Sequence, residues 1–94
     1  MSRQDAAATS TEPVSLSAVH EEWSRQVADI LRTLDAKGKA DEARDRLLAL
    51  KVAPQDRDVH LALALALEKI AEGKRGASEA LAQARAWFAR AGGL

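Results

Sequence analysis

The stretch that decides the fold is Val59-His60-Leu61-Ala62-Leu63-Ala64-Leu65-Ala66-Leu67-Glu68-Lys69-Ile70. Leucine alternating with a polar residue would describe a strand with one wet face. Here the alternating residue is alanine, which disfavours strands and is the best helix former. Wound as a helix, the segment is apolar around nearly its whole circumference, and such a helix is normally buried among neighbours. The reading is a central helix. Asp56 or Asp58, both suited to capping, opens it, and Glu68, Lys69, Glu72 and Gly73 mark its exit.

Toward the N-terminus, Leu16, Val19, Trp23, Val27, Ile30, Leu31 and Leu34 recur at steps of three and four. That is one apolar stripe on a 3.6-residue period, so a first helix is predicted from Ser15 or Ser17 to Gly38. Residues 1–13 are small and polar, end in Pro13 and read as a flexible leader ahead of a single domain over 14–94. A second helix is predicted from Lys39 or Ala40 to Lys51, with Ala43, Leu47 and Leu50 inward and Pro54 closing the segment. Toward the C-terminus, Ala77, Ala80, Leu81, Ala84, Trp87, Phe88 and Ala91 give a fourth helix that ends at Gly92-Gly93.

Composition agrees with an all-α chain. Of its 94 residues 47% are hydrophobic but only 3% aromatic, so alanine and leucine carry the apolar content. Fourteen basic residues balance fourteen acidic ones, which disfavours nucleic acid as a partner because such binders carry a basic excess. The absence of cysteine excludes disulfides and thiolate metal sites and is compatible with the cytoplasm, the location expected here. No apolar run reaches the length of a membrane span, and the N-terminus lacks the hydrophobic centre of a secretory signal.

The four helices read as two antiparallel hairpins with a period near 36. Displaced by 36, Val27, Ile30, Leu31 and Leu34 fall on Leu63, Ala66, Leu67 and Ile70. Two helices repeated at this period mark a helical repeat array. The first hairpin carries Val27, Ile30 and Leu34, then Gly38, Ala43, Leu47, Leu50 and Pro54, and over residues 24–54 it resembles a tetratricopeptide repeat. Its proline comes one residue early, and Leu34 stands where that family has an aromatic residue. The second hairpin keeps Gly73 but lacks the closing proline. The resemblance implies an open helical array that grips a peptide or a helix, and it implies no chemistry. Two hairpins rarely suffice alone. They either close into a compact four-helix bundle, or their open face is covered by a second copy or a partner.

Candidate chemistry is sparse. His20 and His60 could each form half of a metal site with a nearby acid, but no third ligand is visible. Neighbouring carboxylates such as Glu21-Glu22 and Asp41-Glu42 diverge by about 100° on a helix and do not converge on a substrate. No phosphate-cradling loop is present. The expectation is therefore a non-enzymatic interaction module, an adaptor or chaperone-like protein without cofactor or metal, that takes a partner helix between its first and third helices. Trp23, Val27, Leu63 and Leu67 are the expected groove residues, with rim charges orienting the partner. A small homodimeric helical regulator, of the transcriptional kind for example, is the rival expectation.

Overall fold

The computed structural model describes the backbone over residues 11–93 and the side chains over 17–91. Residues 1–10 of the expected leader lie outside this range. Within it the chain is all-α: α1 (Thr11–Lys37), α2 (Ala40–Leu48), a 3₁₀ turn (Pro54–Asp56), α3 (Arg57–Ala71), α4 (Ala77–Phe88) and one π turn (Ala89–Gly93). The helices form two consecutive hairpins. α3 packs against both α2 and α4, and α1 lies against α2 and the terminal π turn.

The helix boundaries depart from expectation at two places, each for a local reason. α1 begins at Thr11, four residues before Ser15. Pro13 is its third residue, in the first turn, where the missing N–H would have had no intrahelical acceptor. α2 stops at Leu48 rather than Lys51. The Ala49 and Leu50 amides turn back to Arg46 and Leu47, and Ala53, which precedes Pro54, is extended at φ −68°, ψ 150°. Asp56 occupies the cap position of α3 but makes no capping bond, because its carboxylate is engaged elsewhere.

Two glycines shape the hairpin turns. Gly38 (φ +71°) donates its amide to Leu34, ending α1 in a left-handed residue. Gly73 (φ +70°) donates to Ile70 while Lys74 donates to Lys69, the paired bonds of a Schellman motif that end α3.

The core is continuous across all four helices. Trp23, Val27, Ile30, Leu31 and Leu34 of α1 meet Ala40, Ala43 and Leu47 of α2, Val59, Leu63, Ala66 and Leu67 of α3, and Ala84 and Phe88 of α4. The alternating leucines of α3 divide by face. Leu63 and Leu67 are completely buried, whereas Leu61 and Leu65 stand 54% and 52% exposed on the opposite side. Residues two apart on a helix differ by about 200°, so alternating leucines fall on opposite faces and one pair must point outward. α3 is thus central in its contacts but shielded on one side only.

Candidate functional site

Two regions concentrate the chemistry: a polar cluster set into the core, and an uncovered apolar face.

The cluster joins α1 to the start of α3. His20 Nδ1 lies 2.6 Å from Asp56 Oδ2, and Trp23 donates from Nε1 to His60 Nδ1 at 3.0 Å. Trp23 also meets Phe88 edge to face, with ring centroids 5.4 Å apart. Burial holds the His60 imidazole below its ordinary pKa, which favours the neutral ring that the Trp23 donor requires. His20, Ser24 and Asp56 supply the residue types of a nucleophilic triad, but the geometry is not one. Ser24 Oγ is buried and has no hydrogen-bond partner among the described residues, so it neither meets the imidazole nor faces solvent. Among the described residues no three metal-ligating side chains gather, and no helix is long and apolar enough to cross a membrane. The cluster ties helices together, and it was missed in the sequence because Asp56 looked like a helix cap.

The four expected groove residues do come together, but inside. Trp23 is 1% exposed, and Val27, Leu63 and Leu67 are completely buried. As they stand they line no open groove, and the expectation is corrected. With α1 starting at Thr11, Trp23 lies mid-helix and its indole is enclosed by α3 and α4.

The exposed aromatic residue is Trp87, at 41%. It lines a shallow cleft between α3 and α4 of about 260 Å³, together with Ala62, Leu65, Lys69, Ala80 and Gln83. Leu61 adjoins this cleft one turn before Leu65 on α3. The face was partly visible in the sequence as the surplus of leucine on α3, but nothing there distinguished its outward pair from its inward pair.

The larger hollow, about 620 Å³, lies between α1 and α2 and is lined by Arg25, Arg32, Arg46 and Asp29. Each arginine is paired with a carboxylate: Arg25 with Glu22, and Arg32 and Arg46 with Asp29 at 3.2 and 3.0 Å. The hydrogen bonds from Arg46 and then Arg32 hold the Asp29 carboxyl below its ordinary range. Arg85 of α4 forms a forked pair with Asp35 of α1 at 2.9 and 3.0 Å. Lys74, in the turn between α3 and α4, sits 3.1 Å from Glu72.

In comparisons with known proteins, no family model, no curated protein and no solved structure matches the chain.

Proposed function

We propose that this chain is a protein–protein interaction module, tetratricopeptide-like in its paired hairpins, that holds a helix against the outer face of α3 and α4. The observation that carries this reading is the half-exposed pair Leu61 and Leu65, next to the cleft lined by Trp87. Contiguous apolar surface of this kind marks interaction sites. Leucines spaced by four residues beside a tryptophan suit a helix-in-groove contact, with the tryptophan as anchor.

The repeat-like character is supported by the cluster itself. His20 meets Asp56 at a separation of 36 residues and Trp23 meets His60 at 37, so α1 and α3 touch through residues one period apart. Side-by-side packing of the first helices of successive hairpins produces that pattern.

Site-specific photocrosslinking in cells that make the protein tests the proposal. A benzophenone side chain at Leu65 or Trp87 should yield protein adducts, and the same probe at exposed Ala36 on α1 should yield none. No adduct from either site, with the Ala36 control equally silent, counts against the reading.

A further inference from the structure

The stripe around Leu61 and Leu65 has charges arranged in an unusual order. At about 100° per residue, Leu61 and Leu65 lie about 40° apart and point away from the buried Leu63 and Leu67. Arg57 and Glu68 are separated by eleven residues, about three full turns, so they share one edge of the stripe. Asp58 and Lys69, also eleven apart, share the other edge, the one beside the α3–α4 cleft. All four are exposed, and among the described residues none forms an ion pair within the chain. Each edge therefore carries one positive and one negative end, and the midpoint of both edges and of the leucine pair falls at Leu63.

We infer that the helix held on this face is α3 of a second copy of the chain, packed antiparallel about a two-fold axis at the level of Leu63. This rests on the proposed interaction role of the same face. A two-fold axis crossing an antiparallel helix pair keeps each edge on its own side and reverses its ends. Arg57 then meets Glu68 of the second copy and Asp58 meets Lys69 of the second copy, and symmetry makes each contact twice. Leu61 of one chain packs beside Leu65 of the other in the middle, and Trp87 borders the seam along the cleft edge. A parallel two-fold pairing would exchange the edges, setting Arg57 against Asp58 and Glu68 against Lys69, but it would also align the two helix dipoles in the same direction, which the antiparallel register avoids. The chain's formal charge of zero leaves no net repulsion between copies.

Sedimentation equilibrium on the full chain from about 1 to 100 μM tests the inference. The expected mass is twice the 10.1 kDa of one chain. Leu61→Ser with Leu65→Ser should weaken association by about tenfold or more while leaving the helical circular dichroism intact. Should that variant lose helicity, the charge variants still decide. Arg57→Glu alone and Glu68→Lys alone should each weaken self-association several-fold, on the order of 3–10-fold. Mixing the two variants, or combining both changes in one chain, should restore it. A wild-type monomer throughout the range overturns the inference, as does a dimer indifferent to Leu61 and Leu65, or one in which mixing restores nothing. A Leu65 crosslink to a different protein from a monomeric chain overturns the second copy but leaves the interaction role standing. Absence of both dimer and crosslink removes both.

Discussion

His20 and Asp56, separated by 36 residues, meet at 2.6 Å, with the Asp56 side chain only 3% exposed. Two residues on different helices thereby fix where α3 begins against α1. Asp56 would ordinarily have capped α3, and the cap is forgone for this contact. A hydrogen bond to a buried charged acceptor contributes more than a neutral one. Asp56→Ala should therefore cost about 2–3 kcal/mol in urea unfolding. In a double-mutant cycle with His20→Ala the two losses should fail to add, because both remove the same bond. Strict additivity would mean that the contact contributes nothing.

Trp23 combines two separable roles, packing and donation. Trp23→Phe keeps most of the ring volume and the edge contact with Phe88 but removes the bond to His60, an expected loss of about 1–3 kcal/mol. Trp23→Ala also opens a cavity and should cost about 3–5 kcal/mol, most of the stability of so small a domain. Chemical denaturation of both variants checks the order. Equal losses would show that the Nε1 bond rather than packing dominates.

How much of this was legible beforehand depends on which physical signal each feature leaves. The inward stripe of α1 is readable because Val27, Ile30, Leu31 and Leu34 repeat on the helical period, and all four are buried. The helical state of Leu61 to Leu67 follows from alanine's propensity. Which leucines face outward does not, since alternation places apolar groups on every side and only the placement of α1, α2 and α4 selects a face. The exchange of roles between Trp23 and Trp87 has a similar origin. One depends on where α1 starts, four residues before Ser15, and the other on how α4 rolls against α3. Neither is a local property. The His20–Asp56 contact leaves no sequence signal except its spacing, which equals the repeat period.

His60 gives the fold a pH dependence of known sign. Its folded-state pKa lies below the ordinary 6.5 because burial disfavours the imidazolium. As pH falls through 6.5 the unfolded chain therefore binds a proton first, and stability decreases. The loss levels off once the folded-state ring is also protonated, and above 6.5 the stability is fully present. Protonation also removes the acceptor for Trp23 Nε1–H. His20 borders the same indole and meets Asp56, so the comparison must keep both. Urea midpoints between about pH 5 and 8 should fall on the acid side for wild type and less for His60→Gln. Parallel curves would rule out His60 as the source.

Gly38 tests whether the first hairpin depends on a left-handed residue. At φ +71° its amide closes the last turn of α1 onto Leu34. A Cβ at this position would meet nothing within 4 Å, so substitution brings no clash and its cost is confined to the backbone. Alanine in the left-handed region should therefore cost about 1–2 kcal/mol, and asparagine, which tolerates that region, less. Both variants should unfold in a single cooperative transition at lower urea, with helical content retained before it. If Gly38→Ala matches wild type, the turn between α1 and α2 can take a right-handed conformation at no cost, and the angle between those helices is set by the packing of Ala40, Ala43 and Leu47 alone.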